Sequence, residues 1–493
     1  MTERKEDQTQ SRLEKLQRIK DLGINPYPAR YNRTHSAQQA IILLQGKEDK
    51  VNALPSVQLA GRITAMRLMG KASFMDIRDG SGRIQIYFKK DTIGEEKYDF
   101  LHNLDIGDFI GVKGTLFRTR TGEVTIHVSE FTFLSKALQP LPEKWHGLTD
   151  VEKRYRQRYL DLISNEDVRN IFQKRSQIVS AIRRYLETEG FMEVETPVLQ
   201  SIAAGALAKP FETHHHTLDS DLYMRIATEL HLKRLIIGGF EKVFEIGRVF
   251  RNEGISIKHN PEFTTMESYQ AYADYADVMN MTENMISSIA QEVNGSTQIK
   301  SREETIDFAP PWPRIPLRDA IKEKSGIDFE EFPDAPSLEA KIRESGIVVD
   351  EGLSWGKLVD HLLSEKVEPN LVQPTFLIDY PVELSPLAKR KTNAEHLVER
   401  FEAFCGGMEI ANAFSELNDP QDQRVRFEDQ ERMRAEFGDD EMERTDTDFL
   451  TALEHGMPPT GGLGIGIDRL VMLLTGQHSI REVILFPQLR SKE

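Results

Sequence analysis

Charged and aromatic side chains cluster in residues 242–272, which the sequence predicts to be two strands and a loop. β-forming residues occupy both ends of this stretch, and turn residues lie between them, which is typical of an antiparallel pair joined by a long loop. With a side-chain period of two, one face of each strand carries functional groups: Arg251 and Glu253 on the first, and Phe263, Glu267 and Tyr269 on the second. The loop adds Lys258, His259 and Asn260. Such a surface suits a charged, planar, polyanionic ligand. The alternative is a solvated sheet face with ordinary salt bridges.

The glycine run G-G-L-G-I-G-I-D-R at 461–469 fits neither the dinucleotide-binding fingerprint nor the P-loop. It predicts a strand whose glycines admit a ligand against bare backbone, followed by a helix capped by Asp468 with Arg469 in its first turn. Arg469 and Arg251 would bring two permanent guanidinium charges to one site, which suits phosphate. The alternative is a set of glycines that pack against a helix.

Residues 400–410 predict a β-hairpin that turns on Gly406 and Gly407. A two-residue turn pairs Phe404 with Glu409, so that Glu402 and Glu409 share a sheet face. Two carboxylates near arginines can hold Mg²⁺ on a triphosphate. The alternative is a pair of surface carboxylates. Residues of this kind indicate electrostatic stabilisation rather than covalent catalysis.

Composition places the chain among globular intracellular proteins. It has 493 residues, a formal net charge of −16 and a single cysteine, Cys405, which excludes an intrachain disulfide framework. No apolar run approaches the roughly 18 residues of a membrane helix, and the N-terminus lacks the apolar core of a signal peptide. We therefore expect a cytoplasmic protein with no membrane partner. The acidic balance argues against general DNA binding, so a polyanion should dock locally.

Five strand-like runs lie between residues 57 and 136, with a helix expected near 95–103 before the fourth. This order is typical of an OB barrel, a fold that often binds single-stranded nucleic acid. Arg67, Phe74 and Gln85 would offer it a charge, a stacking ring and a base-edge amide. The alternative for Phe74 is a place in the barrel core.

The remaining elements predict an α+β multidomain chain. We expect a helical N-terminal extension at 1–56, the OB barrel at 57–140, a linker at 141–150 and a catalytic domain at 151–493. Apolar spacing predicts a long amphipathic helix over 166–189. Thr228 is a possible N-cap for a helix with Glu229 in its first turn. Residues 307–374 are interpreted as a helical insertion between two halves of a sheet.

Several motifs together resemble a known family. F-R-N-E with H-N-P-E-F resembles motif 2 of the class II aminoacyl-tRNA synthetases, G-L-G-I-G-I-D-R resembles motif 3, and residues 166–197 resemble motif 1. The barrel-first order, F-S-E-L-N-D and P-P-T-G-G-L-G-I-G-I-D-R most closely resemble bacterial lysyl-tRNA synthetases. The resemblance implies a class II antiparallel-sheet catalytic domain flanked by helices. It also implies an ATP-dependent lysine–tRNA ligase that uses lysine, ATP and tRNA(Lys), binds Mg²⁺ and forms a homodimer through the motif 1 region.

The same resemblance implies roles for individual residues. Lysine would be bound by Gly205, Glu229, Arg251, Glu267, Tyr269, Asn412 and Glu416. ATP would be bound by Arg251, Glu253, His259, Asn260, Phe263, Glu402 and Arg469, with Arg251 and Arg469 catalytic. More than one Mg²⁺ would be held, through Glu402 and Glu409, and the anticodon would be read by Arg67, Phe74, Gln85 and Glu123.

Physical chemistry agrees with lysine as the amino acid. A pocket with several carboxylates attracts a cation and repels aspartate, and burying an unpaired carboxylate is costly.

Lys258 stands where arginine is often found in the family, so it would hold phosphate as a point charge rather than bidentately. The rival interpretations are an aspartate or asparagine enzyme, a lysyl-transferase that lacks the barrel, and a non-catalytic relative.

Overall fold

The computed structural model describes residues 2–44, 55–142, 148–206, 208–301, 304–437 and 445–490. The chain divides into two compact units, Met1–Leu148 and Thr149–Glu493. Residues 143–147, in the middle of the expected linker, lie outside the described residues. Among the described helices, none is long and apolar enough to cross a membrane.

The first unit is built on a closed five-stranded barrel with strand order β1-β2-β3-β5-β4. Its strands are β1 (Ser56–Arg67), β2 (Ala72–Arg78), β3 (Arg83–Lys89), β4 (Phe109–Arg118) and β5 (Val124–Ser135), and its helices are α1 (Thr2–Asp21), α2 (Ala37–Leu44), α3 (Lys90–Ile93) and α4 (Glu95–Phe100). Alternate residues of β2, such as Met75 and Ile77, fill the barrel. Because side chains alternate along a strand, Phe74 and Asp76 point outward. The OB fold and the helix before the fourth strand are confirmed.

The second unit is organised by a sheet of order β14-β15-β17-β18-β19-β11-β10-β6, with β16 paired to β17. Its pairs are antiparallel except β6 with β10 and β14 with β15. The sheet strands are β6 (Met192–Glu193), β10 (Lys242–Phe250), β11 (Glu262–Ala271), β14 (Arg314–Pro316), β15 (Thr375–Pro381), β16 (Arg390–Lys391), β17 (Ala394–Cys405), β18 (Met408–Ser415) and β19 (Thr460–Gly466). Smaller sheets contain β7 (Leu199–Gln200), β8 (Glu212–His215), β9 (Ser220–Met224), β12 (Gln298–Ser301) and β13 (Glu304–Asp307). An antiparallel-sheet domain flanked by helices is thus confirmed.

Helices cover one face of this sheet and leave the centre of the other face open. The helices of the unit are α5 (Val151–Arg156), α6 (Arg158–Ser164), α7 (Glu166–Thr188), α8 (Glu229–Ile237), α9 (Tyr275–Asn294), α10 (Leu317–Ser325), α11 (Ala335–Glu344), α12 (Trp355–Leu362), α13 (Pro420–Phe437), α14 (Thr447–Glu454), α15 (Ile467–Thr475) and α16 (Ile480–Val483). Buried residues of α7, α9 and α15 share one core with Met266 and Ile465 of the central strands. Since neighbouring residues of a strand point to opposite faces, Glu267 and Gly464 lie on the other side.

Residues 307–374 contain α10, α11 and α12, whose buried residues, such as Leu338 and Leu358, share an apolar core with Leu377 and Phe404 of the main sheet. They also contribute β14, which extends the main sheet as a parallel edge strand. The segment therefore supplies a strand as well as helices. The domain bounds given above stay a prediction.

Three local expectations need correction. The helix after β19 begins after Gly466, and Asp468 lies inside it, where its carboxylate accepts the Thr264 backbone N–H at 2.7 Å. Thr228 occupies the N-cap position of α8, but its side chain makes no capping hydrogen bond. Strand β10 ends at Phe250, so Arg251 and Glu253 belong to the following loop instead of sharing a strand face.

Candidate active site

A cavity of about 430 Å³ lies against the open face of the sheet, a volume in the range of small-molecule sites. Strand register aligns two rows of side chains across its floor. The first row is Glu402, Asn412, Gly464 and Glu267 on β17, β18, β19 and β11. The second row, two residues along each strand, is Arg400, Phe414, Gly462 and Tyr269. Residues from four strands therefore face one cavity.

Gly462 must lack a side chain for this floor to form. A Cβ atom at this position would overlap the Glu416 carboxylate and would lie 2.7 Å from Cε1 of Tyr269. The glycine of the 461–469 run thus leaves room for two of the polar groups around the cavity. The interpretation of these glycines as a ligand-facing strand is consistent with this geometry.

Three buried carboxylates, Glu229, Glu267 and Glu416, form what we call the carboxylate end of the cavity. Burial raises the pKa of Glu267 to about 7, and the charge of Glu229 adds to the rise. The Thr228 N–H donates to Oε1 of Glu267 at 3.1 Å. This end has more carboxylates than cationic partners, so a ligand ammonium would be favoured there.

Lys233 is the cation of the carboxylate end. Its side chain is fully buried, and Nζ lies 2.6 Å from Oε1 of Glu229 and forms an ion pair with Oε2 of Glu416. Burial opposes the charge of Lys233, but the two carboxylates outweigh it and raise the pKa of this ammonium. Oε1 of Glu416 is buried and has no hydrogen-bond partner among the described residues. Tyr269 is also buried, and its pKa lies well above the usual value because of burial and the nearby carboxylates.

Arg251 also lines the cavity, and its charge opposes the rise in the pKa of Glu267. Its guanidinium carbon lies 5.2 Å from the centre of the Phe263 ring. Its Nε atom is buried and unbonded within the part of the chain that the structure describes. A buried donor without an acceptor is costly, so the geometry suits an anionic ligand at this position.

Further positive charge lies beyond Arg251. Arg469 donates from Nη1 to the Glu409 carbonyl oxygen at 2.8 Å and forms an ion pair with its carboxylate at 3.1 Å. Nη2 of Arg469 lies 3.2 Å from Nε2 of His259. Burial and the charges of Arg469 and Lys258 lower the pKa of His259. We call Arg251, Lys258 and Arg469 the cationic end.

Two residues of the loop between β10 and β11 make contacts to the protein itself. Lys258 donates to Oε1 of Glu368 and to the Gly407 carbonyl oxygen, both at 2.7 Å. Asn260 donates to the Glu262 carbonyl oxygen at 2.6 Å and accepts the Gln488 N–H at 3.1 Å. Asn260 therefore has a structural role in holding this loop.

Glu402 and Glu409 form the candidate metal site. The Tyr380 hydroxyl donates to Glu402 at 2.9 Å, and Arg400 donates to it at 2.6 Å. Burial raises the pKa of Glu402 to about 7; Arg400 opposes the rise, and the charges of Glu409 and Asp360 add to it. Within the described ranges, no group of three or more His, Cys, Asp or Glu residues is arranged to hold a metal. Two carboxylates fit Mg²⁺ that is shared with nucleotide phosphates rather than caged by protein.

The barrel of the first unit carries the four predicted anticodon residues. Phe74 is partly exposed rather than core; its ring centre lies 4.8 Å from that of Tyr87, and the Arg67 guanidinium lies 5.8 Å from the Phe74 ring. Gln85 is buried, and its amide donates to Glu123 at 3.1 Å. The structure thus brings these residues together as two pairs.

The cavity collects every site residue predicted for the second unit: Gly205, Glu229, Arg251, Glu253, His259, Asn260, Phe263, Glu267, Tyr269, Glu402, Glu409, Asn412, Glu416 and Arg469. Their roles stay predictions. Lys233 and Arg400 were missed. Arg400 donates to Asn412 at 3.0 Å and to Glu402, so it joins the lysine and metal candidates. For Lys233, the sequence signal was its spacing of four residues from a glutamate on a predicted helix. For Arg400, it was the alternation of side chains along β17.

Both units match known protein families. Residues 150–490 match the family described as tRNA synthetases class II (D, K and N), and residues 57–134 match the OB-fold nucleic acid binding domain. A lysine–tRNA ligase of Dehalococcoides mccartyi (strain 195) is 59% identical over 483 residues, covering 98% of this chain and 97% of the relative. Lysine–tRNA ligases of Pelotomaculum thermopropionicum and Carboxydothermus hydrogenoformans are each 55% identical; both alignments cover 98% of this chain, with 94% and 98% of the respective relatives.

Proposed function

The chain belongs to the class II tRNA synthetases (D, K and N), and we propose that it is an ATP-dependent ligase that joins lysine to tRNA(Lys). Full-length similarity to lysine–tRNA ligases supports the choice of amino acid. The observation in the structure that supports it is the presence of both buried carboxylates and a guanidinium in one cavity. A buried, carboxylate-rich end shares the cavity with a guanidinium, Arg251, whose buried Nε has no hydrogen-bond partner among the described residues.

Lysine fits the carboxylate end in one orientation. Its α-ammonium would lie at Glu229 and the Gly205 carbonyl, and its ε-ammonium between Glu267, Glu416 and Tyr269. Its carboxylate would then point to Arg251 and Asn412. The buried, unpartnered Oε1 of Glu416 supports this orientation because a ligand ammonium would supply the missing donor. An aspartate side chain would instead bring a fourth carboxylate to this end.

ATP fits the cationic end. The adenine would lie between the Phe263 ring and the Arg469 guanidinium, and Glu253, His259 and Asn260 would line the nucleotide. Burial and the neighbouring charges of Arg469 and Lys258 lower the pKa of His259 and so favour its neutral ring, which can accept a hydrogen bond. Lys258 pairs with Glu368 at 2.7 Å, so it would hold phosphate only after leaving that carboxylate.

The reaction follows from these positions. The lysine carboxylate attacks the α-phosphorus of ATP in line, and pyrophosphate leaves as lysyl-adenylate forms. The terminal ribose hydroxyl of tRNA then attacks the lysyl carbonyl, and AMP leaves. Arg251 would orient the attacking carboxylate against the α-phosphate and stabilise the negative charge that develops there.

Class II enzymes of this family use Mg²⁺ with ATP, and we place more than one ion at Glu402 and Glu409. When bound, Mg²⁺ would neutralise phosphate charge. Arg400 and Tyr380 would hold Glu402 in place from the protein side through their hydrogen bonds to its carboxylate. The raised pKa of Glu402 is consistent with a carboxylate that awaits a cation.

The barrel would read the tRNA anticodon through Arg67, Phe74, Gln85 and Glu123. Phe74 would stack on a base, with the Tyr87 ring packed against its other face.

We also propose a homodimer through the motif 1 region, since apolar side chains after α7 are exposed, including Met192 at 42% and Leu199 at 49%. The proposed location is the cytoplasm, and DNA and membranes are not proposed partners.

Amino-acid-dependent exchange of pyrophosphate into ATP tests this function. We expect exchange with lysine and little with aspartate, asparagine or arginine, followed by charging of tRNA(Lys). The Arg251→Gln variant should lose lysine-dependent exchange. Arg248→Gln is the matched control, because Arg248 lies three residues earlier, on β10, and pairs with Glu262 outside the cavity at 3.0 Å. Exchange with aspartate but not lysine would overturn the assignment.

A further inference from the structure

We propose that Lys233 is a positioning residue that sets the distance between the two carboxylates that receive the two ammonium groups of lysine. In this way it would select the length of the substrate side chain. The inference rests on the proposed function, because it assumes that lysine binds with its α-ammonium at Glu229 and its ε-ammonium at Glu416.

The geometry places Lys233 between these carboxylates. Glu229 precedes it by one turn of α8, and Glu416 follows β18 on the sheet. Nζ of Lys233 lies 2.6 Å from Oε1 of Glu229 and also pairs with Oε2 of Glu416, so a single ammonium joins the helix to the sheet. Lys233 is absent from the residues that line the cavity. It therefore acts on a ligand through its two partners.

The surroundings of Lys233 hold its ammonium in place. The side chain is fully buried, and Nζ lies 5.3 Å from the centre of the Phe414 ring and 5.9 Å from that of Phe449. A Glu–Lys pair four residues apart on an exposed helix contributes little and stays mobile. Without water to compete, the same pair has a fixed geometry here, because moving either carboxylate would leave a buried charge unpaired.

A fixed spacing has a consequence for specificity. Neither oxygen of the Glu416 carboxylate has a hydrogen bond among the described residues; Oε2 forms an ion pair with the Lys233 ammonium, and Oε1 has no partner. Charge-assisted hydrogen bonds require close approach, so an amino acid one methylene shorter, such as ornithine, cannot place both ammonium groups at fixed acceptors. One methylene in a specific pocket changes selectivity by about 10- to 200-fold. Freeing the carboxylates should therefore reduce the preference for lysine over ornithine.

The Lys233→Met variant tests this, with lysine-, ornithine- and ATP-dependence measured by pyrophosphate exchange. We expect kcat/KM for lysine to fall by at least about 10-fold and the lysine-to-ornithine ratio to fall by about 10-fold or more, with the KM for ATP unchanged. Arg234→Met is the matched control: Arg234 is the next residue of α8 and pairs with Asp446 at 2.8 Å and Asp448 at 2.9 Å, away from the cavity. The control should keep the wild-type ratio.

A merely structural role predicts a different result. The kcat/KM values for lysine and for ornithine would then fall in parallel, and the KM for ATP would rise as well. The lysine-to-ornithine ratio would stay that of the wild type, and this would overturn the inference. If Lys233→Met yields no folded protein, Lys233→Gln carries the same test, since its amide can still donate to one carboxylate. A changed ratio in that variant supports the inference, and an unchanged one overturns it. Wild-type enzyme without lysine-dependent exchange would instead refute the proposed function.

Discussion

Replacing Glu267 with glutamine should stabilise the ligand-free protein above pH 7 and weaken lysine binding. Glutamine has nearly the same shape, and its oxygen can still accept the hydrogen bond that the Thr228 N–H donates at 3.1 Å. The substitution removes only the charge of a buried carboxylate. Stability and function should therefore change in opposite directions.

The magnitude follows from the pKa of Glu267. Burial raises it from 4.5 to about 7, and each pKa unit corresponds to about 1.4 kcal/mol. The folded protein binds this proton more tightly than the unfolded chain does, so the free energy of unfolding falls as pH rises between those two values. Relative to a neutral side chain at this position, the Glu267 carboxyl should lower the free energy of unfolding by about 1 kcal/mol at pH 5 and by about 3 kcal/mol at pH 8.

Urea unfolding at pH 5 and pH 8 measures the stability difference, and pyrophosphate exchange measures lysine binding. The variant should be more stable than the wild type mainly at pH 8. Its KM for lysine should rise about 10- to 100-fold, because a hydrogen bond to a charged group contributes about 1.5–3 kcal/mol, while the KM for ATP stays unchanged. In the wild type, the KM for lysine should fall as pH rises from 6 to 8, since Glu267 ionises over that range.

Two results would refute this reasoning. A variant no more stable than the wild type at pH 8, or a difference that does not depend on pH, would mean that the carboxylate is not costly to bury. Equal losses for lysine and ATP would mean that Glu267 does not act at the ammonium.

Two further predictions concern the barrel and the metal site. Phe74→Ala should raise the KM for tRNA by about 10- to 100-fold, since stacking contributes about 1–3 kcal/mol per base, and should leave pyrophosphate exchange intact; a matching loss of exchange would contradict the anticodon role. Glu402→Gln should raise the Mg²⁺ concentration needed for half-maximal exchange by at least about 10-fold, the scale on which changes near metal ligands act. Glu395→Gln, an exposed position on the same strand, is the matched control and should match the wild type; an equal Mg²⁺ requirement in both variants would argue against Glu402 as a ligand.

Local patterns in the sequence predicted those parts of the site that a single element determines. The two glycines at 406–407 adopt positive φ angles of 60° and 70° and set the register that pairs Phe404 with Glu409. That pairing was predictable because a two-residue turn determines register. The helix over 166–189 was predictable for the same kind of reason, since its apolar spacing is local.

Contacts between distant segments were not predictable in this way. Asp468 has the residue type of a helix cap, but it lies inside the first turn, and Thr264 and Arg175, from two other elements, bind its carboxylate. Lys233 shows the spacing of an exposed helical ion pair, and only the approach of Glu416 buries it. In both cases tertiary contacts outweigh a local preference, and sequence patterns alone do not reveal them.

A crystal structure with lysine, a non-hydrolysable ATP analogue and Mg²⁺ most directly tests the proposal that lysine binds at the carboxylate end of the cavity and ATP at the cationic end. We expect the Arg251 guanidinium to contact both the lysine carboxylate and the α-phosphate, with the ε-ammonium within hydrogen-bond distance of Glu267 and Glu416. A lysine whose ammonium lies away from these carboxylates, or an Arg251 that contacts only one of the two substrates, would contradict the proposed division.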